Sequence, residues 1–127
     1  MATQTPLEIV DEGFDRWMDD RRYRSIIIDV LQDVVARSQA GSVRTVSVFD
    51  EASNQYQVLD IGWDESGKRI FQPMIHLELL NGKIWIQENL TDLDIAKVFL
   101  EYDIEKSDIV LGLHSPGLRQ FSEYAIE

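Results

Sequence analysis

Apolar residues between positions 23 and 35 recur at the spacing of one helix face, whereas polar residues such as Ser25 and Asp29 fall between them. Apolar residues at i, i+3, i+4 and i+7 line one side of an α-helix. The pattern predicts a helix that Asp19 or Asp20 caps and Gly41 terminates. Its predicted buried stripe is Tyr23, Ile26, Ile27, Val30, Leu31, Val34 and Val35.

A separate, shorter helix is predicted over residues 7–18, because an amphipathic pattern there is interrupted by Gly13. Its candidate apolar contacts are Ile9, Val10, Phe14 and Trp17. Residues 1–22 are interpreted as an acidic N-terminal extension, and residues 23–127 as a single domain.

Four segments in the middle of the chain read as β-strands, at residues 43–49, 55–63, 69–80 and 83–88. The turns between them are short, and strands joined by short turns run antiparallel. Asn81-Gly82 is the strongest turn signal, typical of a type I′ hairpin. The segments therefore predict a four-stranded antiparallel meander.

The two-residue turn also predicts the register of the last hairpin, with Leu80 opposite Lys83. Side chains alternate between the two faces of a sheet. One face then carries the apolar pairs Leu79–Ile84 and Leu77–Ile86, followed by Ile75–Glu88. The opposite face carries the pairs Glu78–Trp85 and His76–Gln87. Pro73 removes a ladder donor, so its strand is predicted to be bulged or at an edge there.

A second helix is predicted after the sheet, with Thr91 as its N-cap and Asp94 three residues later. Its predicted buried stripe is Ile95, Val98, Phe99 and Tyr102. Residues 109–111 are predicted to form a short strand, residues 112–117 a loop, and residues 118–126 an ordered apolar tail. The fold class is therefore α+β, with helices on one face of an antiparallel sheet and a short C-terminal strand and helix segment.

Charge changes the functional picture most, since the formal net charge is −11. Nucleic-acid binding depends on Lys and Arg that neutralise phosphates. The basic cluster from Arg16 to Arg24 is interleaved with Asp19 and Asp20, which cancel its field. We therefore expect no direct binding to DNA. Cysteine is absent and no apolar stretch approaches the ~20 residues that span a bilayer, so we expect a cytoplasmic protein without membrane contact.

Candidate catalytic chemistry is sparse. His76 and His114 lack a close-spaced ligand motif, and no glycine-rich phosphate loop is present. A triad of Ser115, His114 and Asp108 is disfavoured, because sequence neighbours rarely converge in that way. We predict no catalytic residues, no metal ligands and no cofactor. The alternative is a metal-dependent component of a DNA-processing enzyme that uses some of Asp60, Asp64, His76, Glu78 and His114.

Several segments, taken in order, resemble the XisI-like family of fdxN element excision controlling factors. They are YRSII at 23–27, DIGWD at 60–64, NGKIWIQEN at 81–89, DIVLGLHSP at 108–116 and RQFSEY at 119–124. The resemblance covers residues 23–126. The family often has a Pro-Pro pair after the loop histidine, and here Ser115 replaces the first proline.

The resemblance implies a regulatory role in cyanobacterial DNA rearrangement and an XisH-like, nuclease-related partner. No catalytic residues are carried over from the family. A tryptophan on a polar sheet face is a plausible anchor, since interface hot spots favour tryptophan. We therefore predict an interface for such a partner, or for a homo-oligomer, at His76, Glu78, Trp85, Gln87 and His114. The competing interpretation is that the C-terminal segment, with Phe121 and Tyr124, covers Trp85.

Overall fold

The structure, a computed structural model, describes residues 4–39 and 41–127, with side chains in the first helix described from residue 16 onward. Within these ranges, the elements are α1 (Gln4–Arg37), β1 (Val43–Asp50), β2 (Gln55–Trp63), β3 (Arg69–Leu80), β4 (Lys83–Asn89), α2 (Ile95–Glu101), a 3₁₀ turn (Lys106–Asp108), β5 (Ile109–Val110) and α3 (Pro116–Arg119). No helix in the described ranges is long and apolar enough to cross a membrane.

The strands form one sheet in the order β1-β2-β3-β4-β5. β1 to β4 pair antiparallel in sequence order, which confirms the predicted meander. Asn81 and Gly82 both have positive φ, at 54° and 74°, as the predicted type I′ turn requires. β5 then adds to β4 in parallel, through the pairs Ile84–Ile109 and Trp85–Val110. The chain therefore has the α+β fold, with a short C-terminal strand at the sheet edge.

The first helix differs from the prediction, because one continuous α-helix replaces the two that were expected. Gly13 does not interrupt it, and Asp19 and Asp20 lie inside it rather than at a cap. A glycine in a helix interior costs only about 1 kcal/mol relative to alanine, which hydrogen bonding on both sides can offset. Trp17 was expected to make apolar contacts, yet it is largely exposed under the guanidinium of Arg21. The predicted contacts of Ile9, Val10 and Phe14 lie outside the described side chains.

The predicted helix stripe is confirmed as the centre of the core. The five positions from Tyr23 to Leu31 are buried, and Val34 and Val35 pack half-buried at the margin. They face alternate residues of the sheet, including Tyr56 and Val58 of β2. Among the remaining buried side chains of this core are Ile75, Leu77, Leu79, Ile84, Ile86, Ile95 and Phe99. α1 and α2 therefore cover the same face of the sheet.

The start of α2 was predicted three residues too early. Asp94, not Thr91, is the N-cap, and its carboxylate accepts the backbone N–H of Lys97 at 3.2 Å. Thr91 instead donates its backbone N–H and its hydroxyl to the side chain of Asn89. Tyr102, predicted to be buried, is the exposed C-cap residue, because the helix ends at Glu101.

Two β-bulges interrupt the strand pairing, and the first confirms the irregularity predicted at Pro73. Val58 of β2 pairs with Ile75 of β3, and the next residue, Leu59, pairs with Pro73. Met74 is therefore the extra residue on β3. β4 pairs only with the part of β3 from Ile75 onward, so Pro73 is both beside a bulge and at a local edge.

The second bulge lies on β4, at Gln87. The predicted pairs Glu78–Trp85 and Leu77–Ile86 are confirmed, but His76 pairs with Glu88 and Ile75 with Asn89. The register counted from the turn was therefore wrong beyond Leu77. One inserted residue shifts every later pair, and the turn sequence carries no signal for it.

Tyr23 connects the helix to the C-terminal part of the sheet. Its hydroxyl donates to the Asp108 carboxylate at 2.5 Å, just before β5 begins. Burial, followed by this hydrogen bond, raises the pKa of Tyr23 far above its usual value. The phenol therefore stays protonated and remains a hydrogen-bond donor at any physiological pH.

The core assignment predicts a large effect of Val30→Asp, since Val30 is 4% exposed. An unpaired carboxylate in this core should cost about 3 kcal/mol of unfolding free energy. We expect a melting midpoint roughly 10 °C lower by circular dichroism. Gln32→Asp, on the exposed side of the same helix, is the control and should change the midpoint little. Equal midpoints for the two variants would contradict the assignment.

Candidate functional site

The sheet face opposite α1 and α2 carries the residues predicted to form an interface; it is called the outer face below. Pairing places Glu78 between Gln55 on β2 and Trp85 on β4. Their neighbours in each strand, such as Tyr56 and Leu77, are buried in the core. Because alternate residues point to opposite sides, Glu78 and Trp85 face away from the helices.

Three of the predicted interface residues are joined in one hydrogen-bond network on this face. Gln55 donates its amide N–H to Glu78 Oε2 at 2.7 Å, and Gln87 donates to Glu78 Oε1 at 3.1 Å. Only the nitrogen of an amide can donate, so the Gln55 oxygen is left as the acceptor for His76 Nε2 at 2.6 Å. The network fixes the Glu78 carboxylate with neutral donors and leaves its charge unneutralised.

Trp85 is half-buried beneath the C-terminal segment rather than open to solvent. The guanidinium of Arg119 lies 5.1 Å from the centre of its ring, within the range of a cation–π interaction. The indole N–H is buried and has no hydrogen-bond acceptor among the residues described. The covering side chain is Arg119, whereas Phe121 is 82% exposed.

Arg119 also holds the C-terminal segment together. Its Nε donates to the carbonyls of His114 at 2.9 Å and Leu111 at 3.2 Å. Its terminal nitrogens reach the carbonyls of Ile126 at 3.3 Å and Gly112 at 3.5 Å. The five donors of a guanidinium in a planar fork suit this multiple role, which a lysine cannot reproduce.

The fit between the segment and the outer face is close at Gly112. A Cβ at this position would lie 2.6 Å from Gln87 Oε1 and 3.2 Å from the Trp85 ring. A larger residue would displace the side-chain amide of Gln87 and crowd the Trp85 ring. The glycine therefore allows the backbone to lie directly against Trp85 and Gln87.

The backbone carbonyl of His114 accepts the hydrogen bond from Arg119, whereas the His114 side chain is exposed. The Asp108 carboxylate accepts a hydrogen bond from the Tyr23 hydroxyl. It is therefore not oriented toward His114, as a Ser115–His114–Asp108 triad would require.

Of the residues of the metal-dependent alternative, His76 and Glu78 share the Gln55 network, whereas the two aspartates have their hydrogen-bond partners elsewhere. Asp60 accepts from Thr45 at 2.7 Å, while Asp64 accepts from Ser66 and Lys68 in a turn. These turn hydrogen bonds, that of the Ser66 hydroxyl foremost, lower the pKa of Asp64. Across the described part of the chain, no three His, Cys, Asp or Glu side chains cluster as a metal site would require.

Two participants were missed by sequence reasoning. Gln55 lies on β2, and the bulge at Met74 prevents its partner on β3 from being counted from the intervening turn. Arg119 reaches Trp85 only because the C-terminal segment folds back along β5, where Ala125 bridges Val110. The sequence around Gln55 gives no local signal for its contact. For Arg119, the only available signal is a single arginine that follows the glycine-containing loop at residues 112–117.

The role of Arg119 predicts a local effect of Arg119→Ala. Loss of its carbonyl and ring contacts should release residues 112–126, while the helix stripe keeps the sheet folded. We expect hydrogen exchange of these amides to accelerate at least tenfold, with β1 to β3 unchanged, as measured by mass spectrometry. Arg44→Ala, on an exposed arginine of β1, is the matched control. Unchanged exchange in residues 112–126 would show that Arg119 does not hold the segment.

Comparison with known proteins agrees with this fold. The family model described as XisI protein matches residues 18–126. The crystal structure of a XisI-like protein from Anabaena variabilis is 30% identical, with a TM-score of 0.79 over 85% of this chain and 99% of that chain. The fdxN element excision controlling factor XisI from the same organism is 34% identical, with a TM-score of 0.73 over 86% of this chain and 99% of the other. A search of curated proteins finds no match. The chain belongs to the XisI family.

Proposed function

We propose that this protein is a non-catalytic regulator of the excision-controlling type, which acts by binding an XisH-like, nuclease-related partner. The observation that carries the proposal is the kinship with the fdxN element excision controlling factor, at 34% identity over nearly all of that chain. The formal charge of −11 supports action through a protein rather than through direct contact with DNA.

The outer face around β4 supplies the binding surface in this proposal. Its network holds His76, Glu78 and Gln87 in fixed positions, and Arg119 holds Trp85. Side chains already fixed before association lose little entropy on binding, which favours affinity. The fixed, unneutralised carboxylate of Glu78 suits a basic group on the partner. His114 lies beside this surface, on the loop that Arg119 holds.

The half-buried state of Trp85 defines its part in binding. Part of the ring is occupied by Arg119, so the partner contacts the ring edge and the guanidinium as one unit. Trp and Arg are the residues most enriched among interface hot spots.

The proposal predicts that the chain and an XisH-like protein from the same organism copurify as a complex. Trp85→Ala should weaken that complex by about 2 kcal/mol, close to a 30-fold rise in Kd by isothermal titration calorimetry. Trp17→Ala is the matched control, since Trp17 lies on α1 before the family match begins. Its Kd should equal that of the parent.

A second variant separates binding from folding. His76→Ala removes one end of the network and leaves the Arg119–Trp85 contact in place. It should also raise the Kd while its circular dichroism spectrum matches the parent. A mixture with no detectable complex, or variants at both positions that bind as tightly as the parent, would refute the proposal.

A further inference from the structure

The half of the outer face formed by β1, β2 and the start of β3 is largely apolar and partly exposed. Phe71 is 63% exposed and Val48 49% exposed, although both lie in strands. α1 and α2 pack on the opposite face, and no described element covers this part. We call the following side chains the apolar patch: Val46, Val48, Leu59, Ile61, Phe71 and Pro73. Contiguous apolar surface of this kind marks a site of protein contact.

Charged side chains lie at both ends of the patch, with opposite sign. At one end, Arg44 pairs with Ile61, and Arg69 pairs with Trp63. At the other end, Asp50 and Glu78 both pair with Gln55 from its two sides. The outer face of these three strands therefore runs from a basic end, through a mostly apolar middle that includes the polar pair Gln57–His76, to an acidic end.

None of these four charges is neutralised within the described residues. The ion pairs there join Arg37 to Asp33 and Lys106 to Glu123. Asp50 accepts from the hydroxyl of Ser53 at 2.7 Å, which lowers the pKa of Asp50 and keeps it ionised.

Arg44 and Arg69, at the basic end, also have no ion-pair partner among the described residues. Arg69 lies over the Trp63 ring at 5.3 Å, and that contact leaves its positive charge intact. A partner that matches the face must therefore be negative where this face is positive, and positive where it is negative.

We propose that this patch binds a second copy of the chain, face to face, about a two-fold axis that runs across the strands. Such an axis reverses the strand direction and keeps β1 over β1 and β3 over β3. Arg44 then faces Asp50 of the other copy, and Arg69 faces Glu78. An isologous interface needs this kind of self-complementarity, because each contact occurs twice.

The same geometry places the middle of β2 near the axis. Leu59 is the central residue of β2, so the two Leu59 side chains approach each other. Two aligned sheets pack about 10 Å apart with interdigitating side chains, and the twist of each sheet is compatible with that arrangement. The face offers the six side chains of the patch and the four charges, against about 20–30 residues per side in a standard interface, so we expect the dimer to form reversibly, in the micromolar range.

The proposal goes beyond binding of an XisH-like partner, and purified chain alone tests it. Sedimentation velocity across the micromolar range should show a monomer–dimer equilibrium. Phe71→Asp should raise the dimer dissociation constant at least tenfold, because it places a charge in the apolar middle. Phe121→Asp is the matched control, since Phe121 is more exposed but lies outside the sheet. Its dissociation constant should equal that of the parent.

Charge reversal tests the orientation. Arg69→Glu alone sets two carboxylates together at each end of the dimer, and Glu78→Arg alone sets two guanidinium groups together. Each variant should therefore be more monomeric than the parent. An equimolar mixture of the two should dimerise again, because every pair across the mixed interface is then of opposite sign. Failure of the mixture to recover dimer would overturn the proposed orientation.

Cross-linking gives a measurement that does not depend on disrupting the face. The chain has no cysteine, so Leu59→Cys carries a single thiol near the axis. A short bifunctional thiol reagent should join two copies of Leu59→Cys and should not join Ser25→Cys, whose position lies on the exposed side of α1. A parent that stays monomeric at the highest concentrations, or equal cross-linking of both variants, would overturn the proposal.

Discussion

Burial of one sheet face beneath α1 is the constraint on which the rest of the structure depends. The stripe from Tyr23 to Leu31 is aliphatic and aromatic, and it removes alternate residues of β2, β3 and β4 from water. Because side chains alternate with period two, burying Leu77 and Ile86 turns Glu78 and Trp85 outward. The packing of the inner face therefore decides which side chains point to the outer face.

The outer face divides into two surfaces with different chemistry. Around β4 it is polar and fixed, since Gln55 and Gln87 hold the Glu78 carboxylate, and Arg119 covers Trp85. Over β1 to β3 it is apolar, with charge of opposite sign at its two ends. The first surface suits a partner that recognises fixed polar groups, and the second suits a copy of itself. The two surfaces meet at Glu78, so self-association and partner binding are coupled in this account.

Much of the fold follows from local signals, and the departures have specific causes. The ends of β2 and β3 and the turn at Asn81-Gly82 were predicted from alternation and turn chemistry. The register of the last hairpin failed where the bulge at Gln87 inserts a residue, because nothing in the turn signals it. The irregularity beside Pro73 was predicted, because proline lacks the ladder donor.

The prediction of the candidate site was limited by long-range contacts. The Glu78–Trp85 pair was predicted because it lies within a few residues of its own turn. Gln55 and Arg119 were missed, since their contacts cross other strands or come from a returning C-terminal segment. The continuous α1 was missed for another reason, since Gly13 carries a local penalty that the rest of the helix offsets.

The central claim is that protein partners bind the outer face and not the helix face. Hydroxyl-radical footprinting, read by mass spectrometry on the chain alone and with its XisH-like partner, tests this at single side chains. The account predicts that oxidation of His76 and Trp85 falls on complex formation, while oxidation of Trp17 and Met18 on α1 stays constant. Protection confined to α1, with His76 and Trp85 unchanged, would contradict it.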